Sequence, residues 1–430
     1  MKPTIVISSP LDTYSGYGAR SRDFIKAIID LNKYDVKLLS QRWGNTRFGY
    51  LKDHSLGNLS ALVIPNITNK PDIWVQITVP NEFSPVGNYN IGVTAGIETN
   101  LCDQSWIQGV NRMDLTLTSS EHSKQVFEKT QWEVNHKKSG KKELLKLNKP
   151  VEVLFEGVDI SKYFQTKSNI DLSTIKESFC FLVVGHWLQG SMGHDRKNIG
   201  YTIKSFLETF KNKPTQPALI LKTSHVTTSL SDKDMLLNKI DSIKKSVRGK
   251  LPNIYIVHGD MTDKEVNELY NHPKVKAMVT HTRGEGFGRP LLEFSMTGKP
   301  IIATAWSGHV DFLNNMYCTL INGTLEQLDN SSVQKNILLK ESSWFKPDDG
   351  QVGKAYKNIY KKYKKYIAPA KKLRHENKTK FSYNSMVKLL GELLIKYVPE
   401  LKLEPKFTSL KMPKLKTVAP SIKLPKLKKV

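Results

Sequence analysis

The residues with the clearest chemical potential form one run, Gly284-Glu285-Gly286-Phe287-Gly288-Arg289-Pro290-Leu291-Leu292-Glu293. It directly follows residues 275–280, an apolar stretch that reads as a buried strand. Gly284, Gly286 and Gly288 allow the backbone to turn sharply and approach a ligand closely. Pro290 suits the first position of a helix, so free amides and the positive end of a helix dipole are expected to face the loop. Glu285 then lies in the loop and Glu293 in the first helical turn, where both can face a ligand lying over that N-terminus. A carboxylate accepts several hydrogen bonds and is suited to gripping the vicinal hydroxyls of a sugar or ribose. The plainer alternative is a glycine-rich turn in which Glu293 only complements the dipole.

Such a loop needs a strand behind it and a helix in front, and the chain supplies that pattern repeatedly. Residues 4–8, 36–39, 73–77, 91–95 and 115–118 read as buried strands, with helices over 19–31 and 121–129. Ser120 is a suitable N-cap for the second helix. A lysine-rich insertion, read as a loop over about 129–149, precedes a strand at 151–155. After a polar stretch near 165–178 the pattern restarts, with strands at 179–184, 218–222, 253–257, 275–280 and 300–304 and helices between them. The expected architecture is α/β: two Rossmann-like, doubly wound domains, residues 1–165 and 166–380, facing across a cleft, with ligands at the carboxyl ends of the strands.

At 430 residues the chain is long enough for two cores. Hydrophobic residues at 39% and charged residues at 24% give the balance of a globular protein and exclude wholesale disorder. No run of about eighteen apolar residues is present to cross a membrane. The N-terminal residues start a strand at once, without the apolar core of a signal peptide. Cys102, Cys180 and Cys318 stand far apart, so neither a disulfide framework nor a structural zinc site is expected, and the expected compartment is a reducing cytoplasm.

The formal charge of +25 is concentrated in three segments. Residues 129–149, 354–380 and 401–430 carry net +5, +10 and +8, leaving a nearly neutral body. In the last of these, Ser409-Leu-Lys-Met-Pro-Lys-Leu-Lys416 recurs as Ser421-Ile-Lys-Leu-Pro-Lys-Leu-Lys428. Its prolines forbid a continuous helix, so a basic, largely disordered C-terminal tail is expected.

Around the glycine run the chain resembles the retaining, GT-B-fold glycosyltransferases of family 4, whose hallmark is E-x7-E in a strand–loop–helix. Glu285 and Glu293 have that spacing, within Glu285-Gly-Phe-Gly-Arg-Pro-Leu-Leu-Glu-Phe-Ser-Met-Thr-Gly-Lys-Pro-Ile-Ile-Ala-Thr304. Glu156-Gly-Val-Asp-Ile-Ser-Lys-Tyr-Phe164 resembles the family's interdomain segment, and Arg196-Lys197-Asn198-Ile199 its basic pair at the first helix of the second domain. Ile97-Glu98-Thr99 with Ser119-Ser120-Glu121 resembles first-domain elements of one subgroup. Phe381-Ser382-Tyr383 and residues 387–398 resemble the closing helix, here 381–400, that returns to the N-terminal domain. The resemblance covers about residues 1–398.

The resemblance implies roles. Glu293 would hold the ribose of a nucleotide-sugar donor, and Glu285 with the backbone and neighbours Gly286, Phe287, Gly288 and Arg289 would place the donor sugar. Arg196 and Lys197 would neutralise the diphosphate leaving group. Where the family often has a further Arg after the strand, this chain has His186, followed by a small insertion at 190–194. Gly16, in Tyr14-Ser15-Gly16-Tyr17-Gly18-Ala19-Arg20, would face the donor from the opposite domain, with Tyr17 and Glu98 in the cleft or at the acceptor. Arg20 is either part of an anion site or a surface residue. The donor is a substrate, so no cofactor is implied.

No metal site is expected. Asp232-Lys-Asp234 has a D-x-D pattern but sits where a helix starts, and acidic residues are favoured there without a metal. The basic segments point to a polyanionic partner. Either DNA as acceptor, as in base-modifying transferases of bacteriophages, or an anionic membrane beside a lipid-linked or cell-surface glycan fits that charge. A basic scaffold on a degenerate transferase fold is the non-enzymatic alternative.

Overall fold

Strand–helix repeats with apolar strands favour parallel sheets covered by helices on both faces. The computed structural model describes residues 2–135, 142–188, 193–225 and 228–401 and contains two such sheets. Residues 136–141 of the lysine-rich insertion, 190–192 of the smaller insertion and the tail from 402 lie outside the described residues.

The first sheet runs Asp35–Ser40, Thr4–Ser9, Ile73–Ile77, Tyr89–Val93, Leu115–Thr118 and Val151–Val153 across its width, all parallel. The second runs Ile254–Val257, Ala218–Lys222, Cys180–Val184, Val275–Val279, Ile301–Thr304 and Thr319–Ile321, again all parallel. In each, strand order reverses beside the first strand of the sheet, and such a reversal opens a crevice at the carboxyl ends. In the second sheet the reversal lies between Cys180–Val184 and Val275–Val279, the strands that lead to His186 and to the glycine loop.

The helix Gly16–Leu31 is capped by Ser15, whose hydroxyl accepts from the Gly18 amide at 2.9 Å. Phe24, Ile25 and Ile28 on its inner face are fully buried with Met386 and Leu390 of the helix Tyr383–Tyr397. Tyr383 fixes that closing helix by donating its hydroxyl to Asp30 at 2.7 Å. The chain passes between the halves at Val158 and Ser382, which pair as a short parallel bridge.

The lysine-rich segment after 348 forms two consecutive helices, Asp349–Lys361 and Tyr363–Lys380. Tyr356 and Ile359 are fully buried, and Tyr356 meets Phe181 edge-on at 5.1 Å. Tyr360 and Tyr363 flank Phe179 at 5.1 and 5.5 Å. Burying each such side chain contributes about 2–3 kcal/mol, which is how a helix this basic stays docked.

Two expectations change. The 129–149 insertion is not simply a loop: Trp132–Asn135 pairs antiparallel with Lys142–Leu145. Trp132 anchors that hairpin by donating its indole N–H to the Cys102 carbonyl at 3.0 Å. The helix after the glycine run is Arg289–Ser295, so Pro290 stands at its second position and Gly288 at the cap.

Candidate functional site

The glycine loop is held by hydrogen bonds to its neighbours within the protein. The Thr282 hydroxyl donates to the Gly284 carbonyl at 3.0 Å, and the Glu285 amide donates to the Ser307 hydroxyl at 2.9 Å. The Gly308 amide donates to the Glu285 carbonyl at 2.9 Å. Gly288 has φ +93°, a left-handed conformation that glycine adopts without strain. Gly284 and Gly286 answer a different need. A β-carbon at 284 would lie 2.0 Å from the Glu98 carbonyl oxygen, and one at 286 would lie 2.1 Å from that of Ala95. The loop therefore packs directly on the backbone 95–98 of the first half.

At the centre stands a partly buried ion-pair cluster, in which Glu285 is the buried member. Lys197 Nζ lies 2.5 Å from both Glu285 Oε1 and Glu285 Oε2. Arg196 Nη1 lies 3.1 Å from Glu98 Oε1 and 3.9 Å from Glu285 Oε2. Burial pushes the Glu285 carboxyl up, but Lys197 and Arg196 outweigh it and hold it below the ordinary carboxylate range. Burial also pushes the Lys197 ammonium below the usual lysine range, with Glu285 opposing. Asn198 has φ +53° and donates its amide side chain to the His281 carbonyl at 3.0 Å, while Asp195 accepts from the Ile199 amide at 2.9 Å. These contacts hold Arg196 and Lys197 in the turn just before the helix Ile199–Phe210, beside the strand ends.

Glu293 is 6% exposed, and burial raises its carboxyl to about 7 despite Arg289. Arg289 Nε donates to Glu293 Oε1 at 2.8 Å, and its guanidinium also pairs with Asp23. Glu156 lies 3.9 Å from the same guanidinium. Arg289 thus ties Glu293 to the first helix of the opposite half. Arg20 is neither a surface residue nor an exposed anion site: it is fully buried and donates to the backbone carbonyls of Leu154 and Phe155.

His186 is exposed and bonds through Nδ1 to the Ser224 hydroxyl at 2.9 Å; partial desolvation by the surrounding protein, with Lys197 and Arg196 beside it, pushes its pKa down, which disfavours the charge that an Arg would supply there. Gly16 is exposed with open space before it. Tyr17 stacks on Trp43 at 4.1 Å, and its oxygen accepts from the Ala95 amide at 3.2 Å. Its ring positions the 94–98 backbone. The Phe287 side chain is 3% exposed and packs on Phe312 in the core, so what this residue offers to the loop is its backbone, the part the sequence reading assigned to the donor.

Sequence reading did not single out Ser307, Asp23 or Lys222. Lys222 ends the strand Ala218–Lys222 and donates to the Gly259 carbonyl at 2.5 Å. His309 was missed too. It is fully buried and bonds through Nε2 to the Thr304 carbonyl at 2.6 Å, leaving Nδ1 without a hydrogen-bond partner among the described residues. Ser307, His309 and Lys222 share a signal, position at or just past the end of a strand, whereas Asp23 lies within the helix Gly16–Leu31 and has none. Asp232 lies in the first turn of Leu230–Lys245, where its amide donates to the Ser229 cap at 3.1 Å, in keeping with the capping reading.

No protein-family model matches the sequence, and no curated protein matches it significantly. Solved structures do match its shape. A glycosyltransferase from Rickettsia africae aligns with TM-score 0.61 at 13% identity, covering 93% of this chain and 99% of that one. Sucrose-phosphate synthase from Thermosynechococcus elongatus aligns with TM-score 0.61 at 11% identity, covering 92% and 99%. HepE of Anabaena, solved in complex with UDP-glucose, aligns with TM-score 0.59 at 14% identity, covering 92% and 100%. The fold is therefore GT-B: two six-stranded parallel sheets of the arrangement found in these glycosyltransferases.

Proposed function

We propose that the chain transfers a glycosyl group from a nucleotide-activated sugar to an acceptor hydroxyl, with retention of configuration, as an enzyme of the family 4 type. The observation that carries this reading is the convergence of Arg196, Lys197, Glu285 and the Gly286–Gly288 backbone at one end of the second sheet, with Glu293 in the adjoining helix. HepE, of the same fold, binds UDP-glucose, which supports a nucleotide-sugar donor.

In this reading Glu293 accepts hydrogen bonds from the ribose hydroxyls, and Arg289 keeps it in place. Arg196 and Lys197 exchange their carboxylate partners for the diphosphate and stabilise its charge as the glycosidic bond to it breaks. Two fixed cations supply that stabilisation, so no divalent ion is assigned a role. Glu285 and the loop amides orient the sugar, and catalysis is chiefly positioning and leaving-group stabilisation. The acceptor enters from the side of Gly16 and Glu98. Its class is proposed from charge: DNA, or a glycan at an anionic membrane reached from the cytoplasm. Among the described residues no helix is long and apolar enough to cross a membrane.

Calorimetric titration with UDP, GDP and ADP tests the donor site. One nucleotide is expected to bind wild type and to bind Glu293→Ala at least about tenfold more weakly, a loss typical of a charged hydrogen-bond partner. Equal affinity in both proteins would remove Glu293 from the site.

A further inference from the structure

Arg283 immediately precedes the glycine loop, and its side chain is 6% exposed. A guanidinium buried to that extent is costly unless it is paired. Its partners come from a hairpin in which Gly323–Gln327 pairs antiparallel with Ser343–Pro347. Directly opposite residues of such a pair present their side chains to the same face, and Glu326 stands opposite Trp344. One guanidinium accordingly meets a carboxylate and an indole. Its Nη1 pairs with Glu326 Oε1, and its Cζ lies 5.1 Å from the centroid of the fully buried Trp344 ring. The Arg283 carbonyl accepts from the Phe345 amide at 2.9 Å, which adds a backbone tie to the same hairpin.

The same residue reaches the turn that carries Arg196 and Lys197 by two routes. Its amide donates to the Arg196 carbonyl at 2.9 Å, and that carbonyl also accepts from the Thr282 hydroxyl at 3.2 Å. Its Nη2 donates to the Gly193 carbonyl, just ahead of the basic pair. The hairpin adds a third tie: Ser332, between its two strands, donates its hydroxyl to the His194 carbonyl. The hairpin is itself anchored on the first half of the molecule. The Asn100 amide donates to the Ser343 carbonyl at 3.0 Å, and the Ser343 amide donates to Asn100 Oδ1 at 2.7 Å.

We propose that Arg283 is a positioning residue for the transfer reaction. Clamped by Glu326 and Trp344, it holds the 193–197 turn against the glycine loop, so that Arg196 and Lys197 stand where the diphosphate departs. Arg283 is assigned no contact with substrate, since both of its terminal nitrogens are engaged by Glu326 and Gly193. The planar fork matters here, because a single ammonium cannot serve two acceptors in that geometry. The inference rests on the donor-site reading for what the turn binds, whereas the clamp is a contact between hairpin and turn.

The test compares wild type with Glu326→Ala, Arg283→Lys and the double variant, all as the full chain. The Glu326 side chain is 29% exposed, so its removal leaves both cores intact, and matched thermal melts check folding. Calorimetry with UDP, GDP and ADP, beside uridine, guanosine and adenosine, separates the grip on the diphosphate from the grip on the ribose. Each single variant should bind the preferred nucleoside diphosphate about tenfold more weakly and its nucleoside equally well. Turnover of the matching nucleotide sugar should fall by about 10², the scale of a displaced catalytic group. The double variant should lose no more than the worse single one, since residues acting as one unit are not additive. Amide exchange at Arg283, Asn198 and Ile199 should quicken in every variant. Equal losses for nucleoside and diphosphate, additive losses in the double variant, or unaltered exchange would overturn the proposal. Binding of no nucleotide by wild type would instead count against the donor-site reading, and the exchange comparison would still decide whether the hairpin holds the turn.

Discussion

Lys197 and Glu285 form a bidentate ion pair, the ammonium nitrogen 2.5 Å from each carboxylate oxygen, inside the junction of the two halves. Glu98 of the first half holds the neighbouring Arg196 at 3.1 Å. The two cations proposed to meet the diphosphate are thus each paired with a carboxylate. Donor binding becomes an exchange of anions, and several consequences can be measured.

Lys197→Ala removes the closest cation from the leaving group and strands a buried carboxylate. Turnover is expected to fall by about 10²–10³, as when a preorganised stabilising donor is lost. Breaking a buried pair by removing one partner should also cost about 3 kcal/mol of stability, read in urea melts. An undiminished rate would take Lys197 out of the phosphate site.

Glu98→Ala should act in the opposite direction on binding. With Arg196 no longer paired across the junction, a nucleoside diphosphate need not displace a carboxylate. Affinity by calorimetry is expected to rise about tenfold, the scale of one charge-assisted hydrogen bond. Weaker binding would mean that Glu98 itself supports the nucleotide.

Glu293 links stability to pH. Its carboxyl sits at about 7 in the folded protein against an ordinary 4.5, with burial as the main cause. The folded state therefore holds this proton more tightly than the unfolded chain does. The resulting stability is fully present below about pH 4.5 and is lost as pH rises to about 7, a contribution of order 3 kcal/mol. Glu293→Gln, permanently neutral, should accordingly gain stability relative to wild type between pH 5 and pH 8 in urea melts. A constant difference between the two proteins across that range would contradict the assignment.

Gly286→Ala tests the contact between the halves. The new methyl group would collide with the Ala95 carbonyl, so loop and 95–98 backbone must part. A loss of about 1–3 kcal/mol is expected, with faster amide exchange over residues 95–98. Unchanged exchange there would show that the halves do not meet through this glycine.

Much of the fold was legible because its strands are continuous apolar runs between helical repeats. Residues 73–77, 115–118 and 218–222 match their strands end to end. The hairpin Gly323–Gln327 with Ser343–Pro347 was not, because its outer positions are polar and its pairing depends on a distant partner. In the candidate site, the spacing of Glu285 and Glu293 drew attention to a loop whose glycines pack on the backbone of the other half. Asp23 and Glu156 could not be found this way, since their relation to Arg289 exists only once the halves meet. Gly286 showed that a glycine read as room for a ligand can be room for another backbone.

The central claim is that Lys197 and its neighbours promote departure of a nucleoside diphosphate from a sugar. The most direct measurement is release of nucleoside diphosphate from a panel of UDP-, GDP- and ADP-sugars, with and without hydroxymethylated DNA, by wild type and by Lys197→Ala. The account predicts release from one donor class by wild type and a drop of about 10²–10³ in the variant. Release from none of the donors under any condition, or equal rates in the two proteins, would contradict it.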